Sequence, residues 1–146
     1  MDLKFQVQLK IQRPVAEVFD GVVNPGKLSG YFVQKTSGPL REGTTVQWTF
    51  AEMPGDHDIV VRRVVANEKI VFEWAAAEGG YNTTVEMAFV PLDAKTTMVR
   101  IGESGWRDTA AGLAASYDNC GGWMHMALCL KANLEHGINL RAGGAL

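Results

Sequence analysis

Residues 3–11 read LKFQVQLKI and alternate strictly: Leu3, Phe5, Val7, Leu9 and Ile11 stand against Lys4, Gln6, Gln8 and Lys10. A period of two predicts a half-buried β-strand. The next stretch, RPVAEVFDGVVNPGKLSGYF, changes period. Val15, Val18, Phe19 and Val22 have helical spacing, and Pro14 suits a first helical turn, so a short helix is predicted over about 14–23. Asn24-Pro25 ends it, because a residue before proline disfavours the helical region. A second short helix is predicted over about 25–29, before Gly30.

From Tyr31 to Glu103 the pattern is that of consecutive strands. Val33–Lys35 is a weak one; TTVQWTF sets Val46, Trp48 and Phe50 against Gln47 and Thr49. HDIVVRRVVA is longer, with a less definite phase. KIVFEWAA places Ile70, Phe72 and Trp74 on one face; TTVEMAFVPL does the same with Val85, Met87 and Phe89, and TTMVRIGES with Val99 and Ile101. Pro54-Gly55, Asn67-Glu68, EGGY and Asp93-Ala94 supply the turns. Short strands joined by short turns predict an antiparallel meander. The remainder, about 108–140, is predicted helical, with Asp108 or Thr109 as cap. At about 100° per residue, Trp123, Met126, Ala127, Leu130, Leu134 and Ile138 form one stripe, with His125, Cys129, Ala132 and His136 opposite. Gly121-Gly122 stand inside this helix as a kink, a junction or a point of close approach. RAGGAL is expected to be a loose tail. Strands followed by a long helix predict a single α+β domain over 1–146, the helix on one sheet face.

The order of these elements resembles the START and birch-pollen-allergen (Bet v)-like superfamily, SRPBCC. Within it the chain is similar to the Hsp90-ATPase-activator-like branch. The resemblance covers about residues 3–140. It rests on RPVAEVFDGVVNPGKLSGYF, on VVANEKIVFEW, on SGW after the last strand, and on GGWMHMALCLKANLEHG. It implies a helix-grip fold: a curved antiparallel sheet of six to seven strands wrapped around a long C-terminal helix, two short helices after the first strand, and a cavity between sheet and helix. Many relatives hold apolar ligands there; some are enzymes and some co-chaperones. Relatives often carry a Gly-rich turn before the last strand, where this chain has DAKTT. That changes a hairpin and leaves the cavity untouched.

Composition narrows the function classes. The chain has 146 residues, 47% hydrophobic and 21% charged, with a formal net charge of -2. Its largest basic cluster is the pair Arg62-Arg63. That excludes sequence-independent nucleic-acid binding, which needs many phosphate contacts. No run reaches the roughly 18 apolar residues of a membrane span. The charged, alternating N-terminus is no signal peptide. The two cysteines, Cys120 and Cys129, sit nine residues apart on one predicted helix. That is roughly 13 Å at 1.5 Å per residue, too far for a disulfide. Free thiols fit a cytoplasmic location.

Parity brings Trp48, Phe72, Trp74, Met87 and Phe89 of the sheet to face Trp123, Met126 and Leu130 of the helix. Aromatic and methionine side chains around a concave space suit a small apolar or lipid-like molecule. The competing reading is a filled core. Tyr31 and Trp106 are placed near the cavity mouth, where an aromatic ring with a polar tip could meet a ligand. Arg63 and Glu103 have inward parity and are the candidate polar anchors, Glu103 being the best general-base candidate. His57, between Asp56 and Asp58, does not converge with them on a strand. His125 and Cys129 share a helix face but supply only two ligands, short of the four of a structural zinc site. No metal ligand set and no cofactor is expected. No Gly-x-Ser-x-Gly elbow and no CxxC occurs, so no catalytic residue is assigned. The expected function is binding of an apolar small molecule. The alternatives are a cyclase, dehydratase or hydrolase using the same cavity, and a co-chaperone that docks a protein. A homodimer is a further expectation, through the back of the helix at Leu128, Cys129 and Ala132.

Overall fold

The computed structural model describes residues 1–145. The strands are β1 (Leu3–Ile11), β2 (Lys35–Thr36), β3 (Thr45–Thr49), β4 (Asp56–Val65), β5 (Lys69–Ala75), β6 (Asn82–Asp93) and β7 (Thr96–Trp106). The helices are α1 (Val15–Val23), α2 (Pro25–Leu28) and α3 (Ala110–His136). All strand pairs are antiparallel, in the order β1-β7-β6-β5-β4-β3-β2. This is the expected helix-grip fold, with seven strands.

Local chemistry explains the boundaries. On β1 the odd residues turn inward and Lys4, Gln6, Gln8 and Lys10 are exposed. The turn residue Asn67 is left-handed, with φ 61°, a conformation that asparagine tolerates. Asn24 ends α1 and caps α2, its Oδ1 accepting from the amide of Gly26 at 3.0 Å. Val18, Phe19 and Val22 bury one face of α1. Gly21 lets that face lie on α3, since a Cβ there would come within 3.2 Å of Leu130 Cδ1.

Thr109 caps α3, its hydroxyl accepting from the amide of Gly112 at 2.9 Å. The helix runs without a break through Gly121 and Gly122. Both are exposed, and a Cβ on either would meet nothing within 4 Å. The pair therefore marks neither a kink nor a close approach. Gly137, at φ 67°, terminates the helix with a left-handed cap. Ile138 thus lies beyond the helix and is exposed, outside the stripe expected for it.

The face expected to lie opposite that stripe is also different. Cys129 is 0% exposed. The segment after the helix folds back over it: Arg141 Nη1 lies 3.4 Å from His125 Nδ1, and His125 Nε2 lies 3.6 Å from Cys129 Sγ. Of the residues expected to carry a dimer contact, Leu128 is the one left well exposed. The stretch expected as a loose tail is anchored at Arg141, whose Nη2 donates to Glu52 Oε2 at 2.8 Å; Leu146 lies outside the described residues.

Candidate functional site

Helix α3 runs closest to β1 and β7. The sheet curves away from it toward β3–β5, leaving a wedge that only large side chains can span. Trp48 from β3, Phe72 and Trp74 from β5 and Trp123 from α3 meet there, joined by Phe32 and Phe50. The Trp48 and Phe72 rings are 5.4 Å apart at 70°, and Trp74 and Trp123 are 5.4 Å apart at 35°. Phe32 stands 5.6 Å from Trp48 and 5.7 Å from Trp123. Edge-to-face and offset pairs of this kind each contribute about 0.5–1.5 kcal/mol beyond area burial. Met87, Phe89, Met126 and Leu130 complete the apolar layer, all buried. The residues predicted to line a cavity are thus brought together, and their rings occupy the space between sheet and helix.

Two of the predicted residues lie away from this cluster, at opposite ends of α3. Trp106 packs with Leu3, Ala76 and Ala115 in a separate small core. Tyr31 is buried on the far side, its hydroxyl donating to the carbonyl of Gly21 at 3.0 Å. Burial, and then the neighbouring Cys129, push the Tyr31 hydroxyl well above its ordinary range. Ala115 and Cys129 are separated by about 21 Å of helix, so Tyr31 and Trp106 do not share one mouth. A cleft of about 230 Å³ opens beside Tyr31, bounded by Phe32, Glu52, Asn139 and Arg141.

The polar anchors separate completely. Arg63 points to the outer face and is exposed. The cause is a bulge: Val61 pairs with Phe72 and Arg63 with Val71, so Arg62 is an extra residue and the alternation resets. Val64 takes the inward phase that simple parity assigns to Arg63, opposite Ile70. His57 lies on β4 with its ring 5.5 Å from Phe50, while its neighbours turn to the strand beside them. Asp56 accepts from Thr49, and Asp58 from Gln47.

Glu103 does point inward. It is 2% exposed, and it is the one charged side chain among the buried residues described. Four side chains from three elements close on its two oxygens. Trp123 Nε1 donates to Oε1 at 2.8 Å, Trp74 Nε1 to Oε2 at 2.9 Å and Thr83 Oγ1 to Oε2 at 2.6 Å. Asn119 Nδ2 donates to both oxygens, at 3.1 Å each. All four groups are neutral. Every bond runs donor to oxygen, the pattern that an ionised, acceptor-only carboxylate satisfies. Asn119 and Trp74 are only partly buried, so the carboxylate lies one side chain below the surface. Within the same aromatic cluster, Trp48 Nε1 is buried and meets no acceptor.

Two members of this centre were legible in the sequence but unselected. Asn119 lies four residues before Trp123, hence on the same helix face. Thr83 lies two before Val85, hence on the inner face of β6. Phe32 and Arg141 lie outside regular elements, and no period could have placed them.

The chain matches the family described as "Activator of Hsp90 ATPase homolog 1-like protein" over residues 12–135. No curated protein matches it in sequence. Among solved structures, the protein SSP2350 of Staphylococcus saprophyticus is 27% identical, with a TM-score of 0.78 over 97% of this chain and 96% of that one. The Aha1 dimer of Colwellia psychrerythraea is 21% identical, with a TM-score of 0.76 over 92% of this chain and 97% of that one. DynU16, from the dynemicin biosynthetic locus, is 23% identical, with a TM-score of 0.80; 94% of this chain corresponds to 49% of DynU16. The latter two likenesses concern the fold alone. Among the described residues no helix is long and apolar enough to cross a membrane. The matched span holds both short helices, strands β2 to β7 and all of α3 but its last residue, so the chain belongs to the family of Activator of Hsp90 ATPase homolog 1-like proteins.

Proposed function

We propose that this chain binds a small, largely apolar molecule between the curved sheet and α3, with Glu103 as its polar anchor. The observation that carries this reading is a carboxylate 2% exposed, set among indoles and held by neutral donors only. Sequestering an ion without an opposite charge costs several kcal/mol. Joining α3 to the sheet does not require that expense, because apolar packing of similar volume does it as well. A recognition role gives the charge a purpose. The partly exposed Trp74 and Asn119 are the side chains whose displacement would admit the occupant, and the unpaired indole N–H of Trp48 offers it a second polar contact.

Binding is favoured over acid–base catalysis by the same geometry. The partners of Glu103 are two indoles, a hydroxyl and an amide, so the centre lacks a second titratable group to pass a proton. The test is a panel of neutral aromatic probes, 2-phenylethanol, indole and 2-naphthol, followed by thermal unfolding and by tryptophan fluorescence. A probe at 100 times its dissociation constant should stabilise the protein by about 2.7 kcal/mol and perturb the indole emission. If no member, and no charged analogue of the same shape, raises the melting temperature or alters the emission at millimolar concentration, the proposal fails.

A further inference from the structure

Resting on the binding site proposed above, we infer that the occupant is a cation: a protonated primary amine on a compact aromatic body, its ammonium seated on Glu103. Three observations converge. First, the carboxylate has no counter-charge. It is the sole charged group among the buried residues described, and no ion pair includes it among those residues. Its field inside the core is offset only by the dipoles of two indoles, a hydroxyl and an amide.

Second, indole rings surround the carboxylate and offer an aromatic body somewhere to stack. Trp74 and Trp123 turn their N–H edges to the carboxylate and lie 5.4 Å apart, with Trp48 6.3 Å from Trp74. The edges used for hydrogen bonding are the positive rims of the rings; the faces around the centre are the negative ones. An anion would meet the carboxylate with repulsion.

Third, the position an ammonium would take is held by a neutral nitrogen. Asn119 Nδ2 sits 3.1 Å from each carboxylate oxygen, bridging the pair. It is borne on a partly exposed side chain of α3. An amine that displaces it puts a full positive charge where a neutral amide stood, turning an ion–dipole contact into an ion pair. A neutral alcohol that displaces it restores only what was lost. Selectivity for the cation follows from that difference.

The test uses the full chain at pH 7 and three probes of one shape: phenethylamine, 2-phenylethanol and phenylacetate, titrated by calorimetry and tryptophan fluorescence. Phenethylamine should bind at least about fivefold more tightly than 2-phenylethanol, and phenylacetate most weakly. Asn119→Ala removes the competing donor with a residue that favours helix, and should raise the amine affinity. Glu103→Gln should abolish the preference while altering 2-phenylethanol less. If that variant fails to fold, wild type and Asn119→Ala still decide. A smaller amine preference in wild type, or a lower amine affinity in Asn119→Ala, overturns the inference. So does a preference that survives Glu103→Gln. Where 2-phenylethanol binds as tightly as the amine, binding at this site stands and only the cation is refuted. Where none of the three binds, both proposals fall.

Discussion

Replacing Gly121 and Gly122 by alanine should stabilise the protein. The two glycines lie in the interior of α3, exposed and helical, with no atom within 4 Å of a Cβ built on either. Alanine there adds no clash and removes the excess backbone freedom of glycine in the unfolded chain. The expected gain is about 0.5–1 kcal/mol per site, and about 1–2 kcal/mol for the double variant, since both act through the same unfolded-state entropy. For a domain of this size that corresponds to roughly 4 °C in Tm per kcal/mol. Urea unfolding should shift its midpoint without a change of slope. Gly112 is the internal control. A Cβ there would stand 2.1 Å from the carbonyl oxygen of Arg107 and 3.1 Å from the capping hydroxyl of Thr109. The same chemical change should therefore destabilise at Gly112. Variants at 121 and 122 that prove neutral or less stable would refute the reasoning, and would mean that another surface covers this face of α3 in solution.

Three further outcomes are expected. Glu52 draws its carboxyl in two directions: burial raises it, while its own backbone amide, Arg141 and the Ala145 amide lower it, and the lowering wins. A carboxyl lowered by folding contributes stability above its unfolded value of about 4.3, and this is lost as pH falls through the folded value. Arg141→Ala should hence flatten the fall of Tm below about pH 4.5; an unchanged profile would remove Arg141 from the account. Tyr31→Phe leaves the carbonyl of Gly21 without its buried donor and should cost about 1–2 kcal/mol by urea unfolding; a cost near zero would show that the bond is not formed in solution. Among the cysteines, Cys120 is partly exposed, whereas Cys129 is buried and burial raises its thiol. A disulfide reagent should titrate one thiol quickly and the second only on unfolding; two fast thiols would contradict the packing of Arg141 and His125 over Cys129.

The sheet meander and the long helix were legible because each depends on a short-range period. Strict alternation in β1 and the Trp123, Met126, Leu130 spacing in α3 can be satisfied only by burying one face. The inward direction of Glu103 was legible for the same reason, since β7 is regular from Val99 to Ser104. Arg63 was not, because one bulge on β4 shifts every later residue to the other face, and a bulge leaves no mark in residue type.

What only the tertiary structure decided was how the interior is used. Chain order alone determined that large aromatics would meet between sheet and helix. Whether they would bound a void or fill it depends on how far the sheet curves away from α3, a quantity set by packing across the whole sheet. Cys129 is buried in the main core, and Arg141, twelve residues further along and beyond the helix end, folds back onto Glu52 and His125. The four donors around Glu103 come from β5, β6 and α3 and approach within 3.1 Å of its oxygens. Local pattern assigns each of them to an inner face. Their convergence on one carboxylate is a fact of three-dimensional register alone.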